Sequence, residues 1–290
     1  MFDKEYIDKE YIIEELKKYR YAHRGLHDKP TIPENSLAAF KRAVDNGFGM
    51  ELDVHLTLDN KLVVTHDSNL RRVTTVRADH KAVTPDNMEF PTEVTIGCER
   101  AVEEMTLEEI QSYPLEESDE RVPELSDVLK LVQGRTPIIV ELKPRGGNHK
   151  ALADKTVEVL KDYDGVFCVE SFNSFAVLYL ARQYPEIVRG QLASNLTRDA
   201  REKKPDDPRE SFKTSAFTTW MVRDMRMNIL SKPDFAAYNF RDRRNKHFRN
   251  FDGLKVIWTI RNALDLELSE RLGAICIFEN FIPDSPEPKR

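Results

Sequence analysis

The chain of 290 residues is 40% hydrophobic and 32% charged, and its 44 Lys and Arg against 50 Asp and Glu leave a net charge of −6. So many apolar residues with so small a net charge exclude intrinsic disorder, and the acidic balance argues against a nucleic-acid partner, which shows as a basic excess. No stretch approaches the roughly 18 uninterrupted apolar residues of a membrane span, while the length allows either two domains of roughly 100 to 200 residues or one barrel of about 250.

Residues 1–20 alternate charge with apolar positions and lack an apolar signal core, which predicts an N-terminal helix packing on the body of a cytoplasmic protein. Nine short β-branched runs then follow: Tyr21–Gly25, Met50–Leu56, Leu62–Thr65, Pro137–Leu142, Val166–Val169, Val188–Ala193, Asp234–Phe240, Lys255–Ile260 and Ala274–Phe278. Each reads as a strand. Helical spacing separates several of them, as in Ser36–Asn46, Leu125–Val132 and Lys150–Tyr163. Strand-helix alternation implies parallel pairing with right-handed crossovers. The pattern predicts an α/β chain forming a single TIM-type (β/α)8 barrel over residues 21–282, with eight of the nine strands in the barrel. The strand at Leu62 pairs back on its predecessor through the turn Leu58-Asp59-Asn60-Lys61. Val76–Val102 is polar and turn-rich and reads as a rim insertion after the second strand unit; Thr197–Ser211 reads as an exposed charged loop, and residues 283–290 as a tail.

Four clusters carry the chemistry. His23-Arg24-Gly25 ends the first strand, and β/α barrels place their active sites at strand C-termini. In Glu51-Leu52-Asp53-Val54-His55, residues two apart share a face, so Glu51 and Asp53 project together. Both faces of a parallel barrel strand are covered, so two carboxylates there need neutralising, either by a hard divalent cation or by a buried Arg or Lys. His55 reads as a ligand, a substrate contact or a residue above the strand end. Thr65-His66-Asp67 closes the short third strand, and Glu141-Leu142-Lys143-Pro144 again puts an acid and a base on one face. The three oxygen donors Glu51, Asp53 and Glu141 suit Mg²⁺ or Ca²⁺ rather than zinc.

Absences narrow the field further. Cys98, Cys168 and Cys276 lie far apart, forming neither a zinc motif nor a disulfide framework, and Asn195-Leu196-Thr197 reads as a chance sequon. The chain has no Gly-x-Gly-x-x-Gly, P-loop, His-Glu-x-x-His or Gly-x-Ser-x-Gly motif, so the nucleotide, zincin and serine-hydrolase classes lose their markers.

The order of clusters resembles the glycerophosphodiester phosphodiesterase family. The residues that carry the resemblance are His23-Arg24-Gly25, Pro33-Glu34-Asn35-Ser36, Glu51-x-Asp53-Val54, Thr57-x-Asp59, Val64-x-His66-Asp67 with Arg72, Glu141-Leu142-Lys143, Glu170-Ser171-Phe172 and Trp258-Thr259. It spans roughly Tyr21 to Phe281. The resemblance implies metal-dependent hydrolysis of glycerophosphodiesters to sn-glycerol 3-phosphate and an alcohol, with His23 and His66 as acid and base. It also implies metal ligands Glu51, Asp53 and Glu141, phosphate-holding Arg24 and Lys143, and Asn35 in the pocket. Trp258 reads equally as a pocket wall or a buried barrel side chain. The implied partner is a small-molecule glycerophosphodiester such as glycerophosphocholine; the oligomeric state is left open. A lysophospholipase D on acylated lysolipids, or a non-catalytic phosphate-binding barrel, are the alternatives. Two departures from the family pattern stand out: Ser36 replaces the usual Thr, and Glu279-Asn280 replaces the usual Thr-Asp.

Overall fold

The computed structural model describes residues 8–74, 98–195 and 223–289. Eight parallel strands close into a barrel: β1 (Tyr21–His23), β2 (Gly49–Leu56), β4 (Ile138–Leu142), β5 (Phe167–Ser171), β6 (Arg189–Ala193), β7 (Phe235–Asn239), β8 (Leu254–Ile260) and β9 (Ile275–Phe278). β1 pairs with both β2 and β9, which closes the ring. β3 (Leu62–Val64) pairs antiparallel with β2, Val54 opposite Val64, as the hairpin expectation required. The turn between them is built by two residues of the motif pattern: Thr57 Oγ1 donates to Asp59 Oδ1 at 2.6 Å and accepts from the Lys61 N–H at 2.9 Å. Thr57 and Asp59 are thus turn-formers.

Helices cover the outer faces. α1 (Lys9–Leu16) is capped by Asp8, and its Leu16 is fully buried with the apolar side chains of the barrel interior. Lys9 reaches Asp234 at 2.9 Å. α2 (Leu37–Asp45) begins at Ser36, whose hydroxyl accepts from the Ala39 N–H as an N-cap serine should. Of the stripe at Leu37, Phe40, Ala43 and Val44 that the spacing predicts, the last three are buried and Leu37 is half-buried, with Ala39 buried beside them. α3 (Leu107–Gln111) carries a capping box between Thr106 and Glu109. α4 (Leu125–Val132), α5 (His149–Leu160), α6 (Ser174–Gln183) and α9 (Ala263–Glu270) continue the outer layer, with the single turns α7 (Asn228–Ser231) and α8 (Lys246–Arg249) before β7 and β8. α5 stops three residues short of the expected Tyr163, whose hydroxyl accepts from the Gly134 N–H at 3.0 Å.

Two cores separate by height and face. Outward strand residues and helix stripes form the larger one, with Met50, Leu52, Val54, Ile138 and Val140 among its members. The lower barrel interior is plugged by a second, built on Tyr21, Ile139, Cys168, Val188 and Phe235. Two residues further along three of those strands stand His23, Glu141 and Glu170, so the interior changes from apolar to ionic towards the C-terminal mouth. A third, smaller core supports the rim beside β3, with Leu70, Val102, Met105 and Ile110. Of the expected rim insertion, residues 76–97 lie outside the described residues; the Val102 N–H donates to Ser68 O at 2.8 Å and ties its end to the rim. The expected loop at Thr197–Ser211 also lies outside them. No helix among the described residues is long and apolar enough to cross a membrane.

Candidate active site

β1 ends at His23 rather than at Gly25, because Arg24 and Gly25 turn into the left-handed region, with φ of 56° and 78°. A Cβ on Gly25 would stand 2.9 Å from Ala39, so the turn also lets α2 approach closely. It tucks the Arg24 N–H against Glu51 Oε2 at 3.2 Å and sends the guanidinium towards Asp53 (3.5 Å) and Glu34 (2.8 Å).

Strand register assembles the acids. His23 stands opposite Glu51, and Asp53, Glu141 and Glu170 form one row across β2, β4 and β5. Carboxylate oxygens of Glu51, Asp53 and Glu141 all lie within 4.8 Å of one another and are buried. Asn35, itself buried with φ of 55°, donates to Asp53 Oδ2 at 2.9 Å. Lys143 places its ammonium 3.0 Å from Asp53 Oδ1 and 2.7 Å from Glu141 Oε1, yet neither oxygen gains a well-aligned hydrogen bond.

The electrostatics are those of crowded acids. Burial, then Asp53, Glu141 and Glu170, hold the Glu51 carboxyl well above the usual range. Burial outweighs Lys143 and pushes Glu141 up to about 7. Asp53 goes the other way: burial would raise it, but Lys143, His66 and Arg24 together keep it ionised far below the ordinary range. Four buried carboxylates face two cations, Arg24 and Lys143, and Arg24 is already shared with Glu34. With all four ionised the site would lack two positive charges, and oxygens of Asp53 and Glu141 meet Lys143 without an aligned hydrogen bond, an arrangement that fits a hard divalent cation on Glu51, Asp53 and Glu141.

Both histidines face a carboxylate through Nδ1. His66 Nδ1 lies 2.7 Å from Asp67 Oδ1, and Asp67 Oδ2 accepts from Arg72 Nε at 2.6 Å. Burial first, then Arg24 and Lys143, push His66 down to about 3, so it stands neutral with Nε2 as its basic atom. His23 Nδ1 lies 3.4 Å from Glu279 Oε2, and its Nε2 3.9 Å from Glu51. Burial and Arg24 lower its pKa as well.

Arg72 also forks onto Glu34 through Nη1 and Nη2 at 2.9 and 2.5 Å, linking the His66 side of the mouth to Arg24. Burial alone would raise Asp67, but the His66 bond and Arg72 hold it down to about 2, against 3.8 for a free Asp. A depressed carboxylate contributes stability above its unfolded pKa and loses it as pH falls through the folded one. Arg72 supplies only part of that shift, so Arg72→Met is expected to lose on the order of 1 kcal/mol at neutral pH through Asp67, and the gap from wild type should narrow between about pH 4 and pH 2 in urea unfolding, the Glu34 pairing keeping it from closing. An equal gap at both ends of that range would assign the loss to packing alone.

The structure brings His23, Arg24, Asn35, Glu51, Asp53, His66, Glu141 and Lys143 to one mouth. Trp258 stands apart: its ring meets Phe172 edge-on at 5.6 Å over the apolar plug, and among the described residues its Nε1 has no partner. Among the described residues His55 joins no ligand group. Its Nδ1 bonds Glu103 at 2.8 Å and its Nε2 faces the His66 carbonyl at 3.4 Å, so it buttresses the His66 loop. Sequence reasoning gave no role to Glu170, Asp67, Arg72, Glu34 or Glu279. The charge inside the run Phe167-Cys168-Val169-Glu170 was the available signal, since a carboxylate on a barrel strand demands an explanation there as much as on β2.

Residues 23–283 match the glycerophosphoryl diester phosphodiesterase family. A glycerophosphodiester phosphodiesterase of Caldanaerobacter subterraneus is 29% identical over 187 residues, covering 61% of this chain and 67% of the relative. The human lysophospholipase D is 31% identical over 162 residues, 53% of this chain but 46% of that protein. Among solved structures, an Oleispira antarctica phosphodiesterase in complex with sn-glycerol-3-phosphate superposes with a TM-score of 0.65 at 21% identity, covering 90% of this chain and 92% of that one. A Silicibacter pomeroyi glycerophosphoryl diester phosphodiesterase gives 0.66 at 20% identity, with 92% of each chain covered. With the barrel, its acidic mouth and a match across nearly the whole sequence in hand, the chain is an enzyme of the glycerophosphoryl diester phosphodiesterase family.

Proposed function

We propose that the chain hydrolyses glycerophosphodiesters, deacylated phospholipids such as glycerophosphocholine or glycerophosphoethanolamine, to sn-glycerol 3-phosphate and an alcohol. The observation that carries this reading is the pair of histidines, each facing a carboxylate through Nδ1, beside a buried acidic cluster with Arg24 and Lys143. Residues 21–282 form the catalytic barrel in this reading, residues 1–20 an N-terminal helical segment and 283–290 a tail, in a cytoplasmic protein.

Glu51, Asp53 and Glu141 would hold Mg²⁺ or Ca²⁺, which when bound supplies positive charge for phosphate oxygens. The chain's own groups do the rest. Arg24 and Lys143 carry fixed positive charge at the mouth for the phosphate, the first as a planar fork and the second as a point charge. Asn35 holds Asp53 in place. One histidine takes the proton of the attacking hydroxyl and the other returns a proton to the departing alcohol. The family resemblance implies that this hydroxyl is the 2-hydroxyl of the substrate's own glycerol: its attack breaks the P–O bond to the alcohol and leaves a cyclic phosphate, which a water molecule then opens to glycerol 3-phosphate, the histidine that gave up its proton now taking one from the water.

The test is a panel of glycerophosphodiesters with and without a chelator. Release of glycerol 3-phosphate that chelator stops and Mg²⁺ or Ca²⁺ restores is the expected result. Turnover confined to lysophosphatidylcholine would move the protein to the lysophospholipase D reading, and no turnover on any diester with either metal would make it a phosphate-binding barrel.

A further inference from the structure

Glu279 occupies a position where the family pattern carries Thr, and the structure gives the replacement something to hold. The Glu279 N–H donates to Ile260 O at 2.9 Å, which fixes the residue at the end of β9. The pairing of Ala22 with Phe278 brings it alongside His23. Its Oε2 accepts from Arg261 Nη2 at 2.9 Å and lies 3.4 Å from His23 Nδ1, while Oε1 is 3.8 Å from His27 Nε2. At this distance the contact falls short of a hydrogen bond, and among the described residues Nδ1 has no hydrogen-bond partner. Hydrogen bonds of catalytic groups are often long before substrate binds.

The same arrangement stands across the mouth. His66, Asp67 and Arg72 form a histidine, carboxylate and arginine series; His23, Glu279 and Arg261 repeat it with residues from the two ends of the chain. A carboxylate on Nδ1 keeps the proton on that nitrogen and leaves Nε2 free to face the reacting groups, without itself taking the proton. His23 Nε2 is the atom directed at Glu51.

We propose that Glu279 is a positioning residue for His23, holding the Nδ1–H tautomer and the ring orientation through a contact that Arg261 anchors from the solvent side. For its kinetic consequence the inference rests on the hydrolysis proposed above; for the tautomer it does not.

The tautomer is read from the ring ¹⁵N signals of His23, assigned with His23→Gln, in metal-free protein at mildly alkaline pH. Wild type should show Nδ1–H, and Glu279→Thr, the residue of the family pattern, a mixture of tautomers. In turnover, Glu279→Thr should lose about tenfold or more in kcat with KM within about twofold, since a misheld acid or base removes part of the roughly 10²- to 10⁴-fold that such a group supplies. Glu279→Gln, whose amide oxygen still accepts from Nδ1–H, should restore the tautomer and most of kcat. A wild-type ring protonated on Nε2, or a Thr variant with unchanged tautomer and kcat, would overturn the proposal. So would a Gln variant as impaired as the Thr variant. If Glu279→Thr does not fold, the wild-type spectrum and the Gln variant decide alone. Wild-type protein inactive on every glycerophosphodiester would refute the hydrolysis reading, while the spectrum would still decide the role of Glu279.

Discussion

Glu51→Gln is expected to abolish metal-dependent turnover, with a fall in kcat/KM of at least about 10³, and at the same time to make the metal-free protein more stable. The first effect follows from removing one of three oxygen donors and one of the charges that a divalent cation would neutralise, a contribution worth several kcal/mol in the transition state. The second follows from the crowding. Burial and three neighbouring carboxylates already hold Glu51 well above its usual pKa, so an isosteric neutral amide relieves repulsion. It also keeps an oxygen to accept the Arg24 N–H. A stabilisation of about 1 kcal/mol would raise Tm by roughly 2–4 °C in a chain of this size. Thermal unfolding in chelator and then in Mg²⁺ or Ca²⁺ reads both effects. Wild type should gain stability with metal as binding to the folded state requires, and the variant should not. A variant that loses activity yet still gains as much Tm from metal as wild type would remove Glu51 from the ligand set. Tradeoffs of this kind are expected where a site keeps like charges together for function.

The second large effect concerns the histidines. His66→Ala and His23→Ala should each lower kcat by about 10²- to 10⁴-fold, but they should respond oppositely to the leaving group. A departing alkoxide needs a proton; a nitrophenolate does not. Replacing the alcohol by a nitrophenyl group should therefore restore most of the rate to the variant lacking the general acid and little to the variant lacking the base. Burial, Arg24 and Lys143 push His66 down to about 3, further than burial and Arg24 lower His23, so of the two His66 is the one expected to start unprotonated and act as the base. The expected result is rescue of His23→Ala by the activated substrate and none of His66→Ala. Rescue in the reverse order would exchange the two roles, and undiminished activity in either variant would remove that residue from the chemistry.

Much of this was legible in the sequence for a simple reason. Hydrophobic alternation and helical stripes are local properties, so nine strands and the main helices could be placed from them, and the hairpin at Leu58–Lys61 announced itself by its turn residues. The pair Glu51 and Asp53 was equally local, because a strand's period of two puts both on one face whatever surrounds it. His55 shows where that reasoning stops. It shares the same parity, but it lies at the strand end, and its ring turns to Glu103 and the His66 carbonyl instead of joining the acids.

Charge balance was beyond sequence reach as well. Glu170 sits beside Glu141 only because β4 and β5 pair in one register, and a shift of one residue would have sent it to the outer face. Glu34 and Arg72, 38 positions apart, meet only through the turn after β1 and the loop after β3. Glu279 looked like a lapse in the motif and became a neighbour of His23 once β9 closed the ring against β1. Which residues are apolar, where strands and helices run and which carboxylates share a strand face depend on neighbours along the chain and can be read from it. Which carboxylates crowd together, which cations stand among them and which acid faces each histidine follow from how the strands are brought into one ring. Those contacts depend on barrel closure and register, and at distances of a few ångströms in a buried mouth they set the charge of every group in it.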